Sequence, residues 1–200
     1  MSIQDVDVLL VNPGSPSSVY QELSHQFSAI EPPSLAAVFA TYIRLKGGTV
    51  GIVDAPALNM SPEMVAKFIY ENYNPTLIVM VVYGFQPSAS TQNMTAAGET
   101  CTALKQLNPH YRILMTGTHP AALPARTLKE EDVDFVCSQE GPQTIWPLAQ
   151  LLKAGSDNFN AVPSLWYKRG GMAFSTPSSP LLDDLDAEMP GGAWDLLPME

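Results

Sequence analysis

Two hundred residues, 46% of them apolar, fit one domain of ordinary size with a proper core and an appendage. Net charge is −10, and the ten basic residues form no patch, which excludes nucleic acid because phosphate contacts need clustered Lys and Arg. No apolar run approaches the ~20 residues that span a bilayer, and Met-Ser-Ile-Gln-Asp lacks the basic and apolar regions of a signal peptide, so no membrane partner and a cytoplasmic location are expected.

Val6–Val11 reads as the first strand, stopped by Asn12-Pro13-Gly14. A polar, Ser-rich stretch runs to about Ile30. Glu31-Pro32-Pro33-Ser34 then opens a helix with Leu35, Val38, Phe39, Tyr42 and Ile43 on one stripe, ended by Gly47-Gly48. Thr49–Val53 is the second strand, closed by Asp54. Ser61 caps a helix that starts on Pro62 and buries Met64, Val65, Phe68 and Ile69.

Thr76–Val82 is apolar or β-branched without interruption, which suits a central strand covered on both faces. Tyr83-Gly84 breaks it, and Pro87, Ser88 and Ser90 offer helix-start chemistry. The helix that follows carries Met94, Cys101, Leu104 and Leu107. Tyr111–Met115 is the fourth strand, ending in Thr116-Gly117-Thr118-His119-Pro120. A short helix with Leu123 and Leu128 leads to the fifth, Asp134–Cys137. Ser138-Gln139-Glu140-Gly141 turns into a last helix using Ile145, Leu148, Leu151 and Leu152. The two cysteines, Cys101 and Cys137, lie on different elements and are expected as buried free thiols.

Five strands alternating with helices, joined by short connections, predict an α/β fold: a five-stranded parallel sheet of order 2-1-3-4-5 with helices on both faces. Beyond Gly155 the pattern changes. Ser164–Arg169 and Met172–Ser175 flank Gly170-Gly171 as a small β-hairpin. From Thr176 the chain is Pro-rich and acidic, and its apolar tip, Ala193–Pro198, is expected to lack its docking surface. The chain thus divides into an α/β domain, 1–155, and a hairpin with linker, 156–200.

Several chemistries are missing. The first loop has one glycine and two prolines where a dinucleotide site needs Gly-x-Gly-x-x-Gly, although Asp54 stands where a ribose-binding acid would. The P-loop and the Gly-x-Ser-x-Gly elbow are absent. His25, His110 and His119 lack metal-ligand spacing, and there is no Cys-x-x-Cys. No catalytic and no metal-ligating residue is expected. His119 reads as a helix cap or a ligand contact, Tyr83 as a core aromatic or a site residue, Glu140-Gly141 as a plain helix start or a binding loop. All follow strands, as Pro13-Gly14 does, and a parallel sheet gathers such loops on one edge.

The ordered set Val-Asn-Pro, Glu-Pro-Pro-Ser-Leu, Gly-Thr-His-Pro-x-x-Leu-Pro, Asp-Val-Asp-Phe-Val and Glu-Gly-Pro-x-Thr resembles the N-terminal cobalamin-binding domain of cobalamin-dependent radical SAM enzymes. The closing Ala-Trp-Asp-Leu-Leu-Pro is similar to the linker into their catalytic barrel, so the resemblance covers residues 6–200. It implies a flavodoxin-like (Rossmann-like) sheet with the corrin ring over its C-terminal edge and the nucleotide tail beside the central strand. Tyr83-Gly84-Phe85-Gln86-Pro87-Ser88 is similar to the family's Ser-Gly-Leu-x-x-Pro-Ser loop, with tyrosine for serine. Gly117-Thr118-His119 and Gln139-Glu140-Gly141 stand at the fourth and fifth loops.

The first loop departs from the wider fold. Where mutases carry Asp-x-His-x-x-Gly with a cobalt-ligating histidine, this chain has Asn12-Pro13-Gly14-Ser15-Pro16-Ser17. The resemblance therefore implies cobalamin with its tail base detached and no histidine of this domain below cobalt. The Cys-x-x-x-Cys-x-x-Cys motif is absent too, so SAM and a [4Fe-4S] cluster are expected only in a downstream radical SAM domain. In the family one SAM methylates reduced cobalt, another is cleaved to make a substrate radical, and the methyl group moves to an unactivated carbon or phosphorus. Alone, the chain is expected to bind and not to catalyse. The competing reading is a non-enzymatic flavodoxin-like module carrying or sensing a flavin or other small ligand, kept open by Ser15, Ser17 and Ser18.

Overall fold

A computed structural model describes residues 3–14, 31–84 and 87–198. Its centre is one seven-stranded sheet of order β2-β1-β3-β4-β5-β6-β7. The strands are β1 (Gln4–Asn12), β2 (Val50–Asp54), β3 (Tyr73–Val81), β4 (Ile113–Thr116), β5 (Phe135–Cys137), β6 (Leu165–Arg169) and β7 (Met172–Ser175). The first five pair in parallel, in the order the sequence predicts. Among the described residues the helices are α1 (Ser34–Leu45), α2 (Pro62–Asn72), α3 (Pro87–Leu107), α4 (Thr118–Ala122), α5 (Pro124–Glu130), α6 (Pro142–Lys153) and α7 (Leu185–Glu188). None is long and apolar enough to cross a membrane.

Alternation in β1 explains the layering. Val8 and Leu10 point to one core with Phe39 and Ile43 of α1 and Ile145 and Leu148 of α6. Leu9 and Val11 point to the other, with Val65 and Ile69 of α2 and Cys101 and Leu104 of α3. All four strand residues are fully buried, each worth about 1.5–3 kcal/mol of apolar burial. Cys101 and Cys137 are free and buried. Ser61 caps α2 as expected, its hydroxyl accepting from Met64 N at 3.3 Å.

Three expectations change. The sheet has seven strands where the sequence predicts five: β6 pairs antiparallel with β5, Phe135 opposite Tyr167, and β7 with β6. The rings of Phe159 and Phe135 pack edge to face at this junction, their centroids 5.1 Å apart. The apolar tip is docked. Ala193 N donates to Ala37 O of α1 at 3.0 Å, Arg44 donates to both carboxylate oxygens of Asp195, and Leu197 is buried in the core, while Trp194 stays 43% exposed. The stripe of α1 shifts accordingly. Leu35 is exposed, and Ala36, Ala37 and Ala40 are buried because small residues let both sheet and tail approach the helix. Likewise Met64 and Leu107 are exposed on their helices.

The two ends of the sheet differ in chemistry. The N-terminal edge is tied by ion pairs: Lys153 donates to buried Asp7, and Lys105 donates to Asp134 at 2.8 Å. The C-terminal edge carries the glycine-containing loops.

Candidate functional site at the C-terminal edge

β1, β3, β4 and β5 deliver Pro13-Gly14, Tyr83-Gly84, Gly117-Thr118-His119 and Gln139-Glu140-Gly141 to one edge, as a parallel sheet must. Ser15 and Phe85 lie outside the described residues, as does His25. Ser88 is exposed in the first turn of α3.

The loops after β3 and β4 lock together. Val82 N donates to Thr116 O at 2.7 Å, and the Ser90 hydroxyl of α3 donates to Val82 O while accepting from His119 N at 3.0 Å. Asn93 Nδ2 donates to Tyr83 O at 3.0 Å. His119 sits in the first turn of α4, not in a loop, with Nδ1 2.9 Å from Thr91 Oγ1. Gly117 carries φ 151° and ψ 168°, a region that only glycine occupies readily, at the point where its backbone crosses Val82.

Tyr83 closes the other side. Its ring meets Phe39 edge-on at 6.2 Å and its phenol donates to Glu140 O at 3.3 Å. Burial pushes the phenol up to about 12. Beside it, Thr116 Oγ1 is buried and makes no hydrogen bond among the described residues, with the Tyr83 phenol and the Cys137 thiol as its polar neighbours. The three groups form a small buried polar cluster at the ends of β3, β4 and β5.

At the first loop Asn12 Nδ2 donates to Asp54 Oδ1 at 2.9 Å, and Ala55 N donates to Asn12 O at 3.1 Å. Burial raises the Asp54 pKa, with the Asn12 bond acting against it. A Cβ at Gly14 would lie 2.6 Å from Cγ of Pro56, so a side chain here needs the proline ring to move. Thr116, Asn12 and Ser90 join this edge without a motif that marks them in the sequence. Their one signal was position, a polar residue ending a strand or opening a helix, which turns use just as often.

A family model described as B12 binding domain matches residues 25–147, more than half of the chain. The chain belongs to the B12-binding domain family. Its expected cofactor, cobalamin, is the one that the family's description names.

The chain is 27% identical over 194 residues to the uncharacterized methyltransferase PH0819 of Pyrococcus horikoshii, a match covering 96% of this chain and 39% of that relative. Its fold is that of the radical S-adenosylmethionine methyltransferase TsrM from Kitasatospora setae, solved with cobalamin and a [4Fe-4S] cluster bound: TM-score 0.66, 18% identity, 92% of this chain and 30% of that one. It is equally that of the cobalamin-dependent S-adenosylmethionine radical enzyme OxsB with aqua-cobalamin bound: TM-score 0.69, 16% identity, 97% of this chain and 24% of that one. This B12-binding chain therefore spans about two fifths of the curated relative.

The residues present suit a corrinoid. A flat macrocycle needs a floor without protruding side chains, and the glycine-containing loops of the C-terminal edge provide it. A nucleotide tail needs buried polar partners, and the Thr116 hydroxyl is one. Among the described residues no group of three or more His, Cys, Asp or Glu side chains could hold a metal ion.

Proposed function

We propose that this chain holds cobalamin as the front part of a radical SAM enzyme, a methyltransferase acting on an unactivated carbon or phosphorus centre. The observation that carries the reading is the match of a B12-binding domain over residues 25–147, whose strands β1, β3, β4 and β5 bring glycine-containing loops to one edge. The names of the relatives support the enzyme context. In this reading residues 1–155 form the cofactor domain and residues 156–200 lead to a domain carrying SAM and the [4Fe-4S] cluster. Two free buried thiols accord with a reducing, cytoplasmic setting.

Cobalamin, when bound, supplies a redox-active cobalt ion already held by four ring nitrogens and able to carry a methyl group. The chain's part is to bind and orient. Gly14, Gly84, Gly117 and Gly141 keep the floor flat, with Pro13 and Thr118 at its margins and Ser88 at the start of α3. Thr116 receives a polar atom of the tail, and Tyr83, held between Phe39 and the Glu140 carbonyl, walls the entry. His119 and Gln139 offer donors to the amide side arms. His119 meets Thr91 through Nδ1, which leaves Nε2 free for a side arm at the periphery of the ring.

The test is reconstitution of the protein as translated with hydroxocobalamin or with flavin mononucleotide, followed by gel filtration. A corrinoid spectrum in the protein fraction is expected, with about four iron and four sulfide per chain after anaerobic cluster assembly. Retention of flavin and not of corrinoid would establish the carrier module instead, and a corrinoid-binding protein without iron would remove the radical SAM assignment alone.

A further inference from the structure

Ser164, just before β6, is buried and holds a left-handed backbone with φ 56°. A non-glycine residue in that region costs about 1 kcal/mol or more and persists only where its surroundings fix it. Here they do. Its N–H donates to Pro177 O at 2.8 Å, and its carbonyl accepts from Ser138 N at 2.9 Å and Ser138 Oγ at 3.1 Å. Thr176 Oγ1 pins the same turn, donating to Val162 O at 2.7 Å and accepting from Leu165 N at 2.9 Å.

From this turn a chain of hydroxyls leads to the fifth loop. Ser179 N donates to Ser164 Oγ at 2.7 Å, Ser164 Oγ donates to Ser179 Oγ at 3.2 Å, and Ser179 Oγ donates to Gln139 Oε1 at 2.7 Å. The order of protons follows from the donors available. Gln139 Oε1 can only accept, so Ser179 gives it its hydrogen and takes the one from Ser164. That bond turns the carboxamide oxygen toward Ser179 and leaves the NH2 group as a donor.

We propose that Ser179 is a positioning residue of the cobalamin site, setting the Gln139 carboxamide so that its NH2 group donates to a carbonyl-bearing side arm of the corrinoid. The proposal rests on the reading that this edge holds cobalamin and that Gln139 touches it. It makes residues 176–179 part of the site and not a spacer. Displacement of the chain beyond the hairpin would loosen the fifth loop, so the path out of the domain and the retention of the cofactor are coupled.

The test is a double-mutant cycle in the protein as translated, read as hydroxocobalamin affinity by absorbance titration. Ser179→Ala should weaken binding about three- to tenfold, the range for one lost hydrogen bond, and Ser179→Thr should restore it. With Gln139→Ala in place, Ser179→Ala should add nothing. Unchanged affinity in Ser179→Ala, or an undiminished effect beside Gln139→Ala, overturns the proposal alone. Failure of the unaltered protein to take up hydroxocobalamin overturns the cofactor reading and the proposal with it. Should Ser179→Ala not fold, Gln139→Ala decides: loss of affinity that Gln139→Glu does not restore, because it lacks the NH2 donor, supports the proposal, and full affinity in Gln139→Ala overturns it.

Discussion

The Cβ that Gly117 lacks would lie 2.0 Å from the carbonyl oxygen of Val82. The obstacle is backbone, fixed by the Val82 N–H to Thr116 O bond and by the Ser90 hydroxyl, so it cannot turn aside. Gly117→Ala should therefore part the ends of β3 and β4. We expect a stability loss of about 2–4 kcal/mol from strain and displacement together, and at least a tenfold loss of cobalamin affinity. Urea unfolding and absorbance titration check this; a variant within ~0.5 kcal/mol of the parent that binds normally would mean that the crossing at this point is not as tight as described.

Asp7 gives a pH dependence of stated sign. Burial raises its pKa, but the Lys153 ammonium and the two donors of Thr49 outweigh it and hold the carboxyl below its ordinary 3.8. A depressed folded value contributes stability above the unfolded pKa and loses it as pH falls through the folded one. Lys153 is largely exposed, so screening limits the pair. Asp7→Asn should cost about 1–2 kcal/mol at the neutral end of the pH range, and the gap to the parent should narrow toward the acid end, as pH falls below 3.8. Urea titrations at the two ends measure it, and a gap of constant size would contradict the assignment.

The docked tail divides its energy unequally. Leu197 is buried in the core and Arg44–Asp195 is exposed. Leu197→Ala should cost about 2 kcal/mol or more, whereas Arg44→Ala should cost less than about 1. Trp194 should remain accessible to acrylamide in the parent and become more so in Leu197→Ala. Equal melting temperatures for parent and Leu197→Ala would mean that the tip does not hold to α1.

The sheet was legible because each parallel strand is an unbroken apolar run, and Thr76–Val82 could hardly be anything else. The loops of the site were legible through Pro13-Gly14, Tyr83-Gly84, Gly117 and Glu140-Gly141, since glycine and proline mark turns by their own backbone limits. What stayed hidden depends on partners far away in sequence. Leu197 looked unpartnered because the alanines of α1 that receive it, 160 positions earlier, do not declare a groove. Ser179 and Ser164 looked like loop serines, and nothing local shows that they bond to each other and to Gln139. The hairpin was read, but its pairing with β5 turns on an edge whose vacancy no sequence pattern displays.

The most direct test of the account is electron paramagnetic resonance of the protein loaded with cobalamin and reduced to cobalt(II). Cobalamin on this edge is expected to have no histidine of this domain below the metal, because Pro13 and Gly14, where the wider fold carries its ligand, bring no donor side chain. The tail is expected to be drawn into the fold toward Thr116 and away from cobalt. The predicted spectrum has cobalt hyperfine lines without nitrogen splitting, unchanged in His119→Ala, although that variant binds more weakly. Nitrogen splitting in the bound form would contradict the account, and its disappearance in His119→Ala would make His119 the ligand.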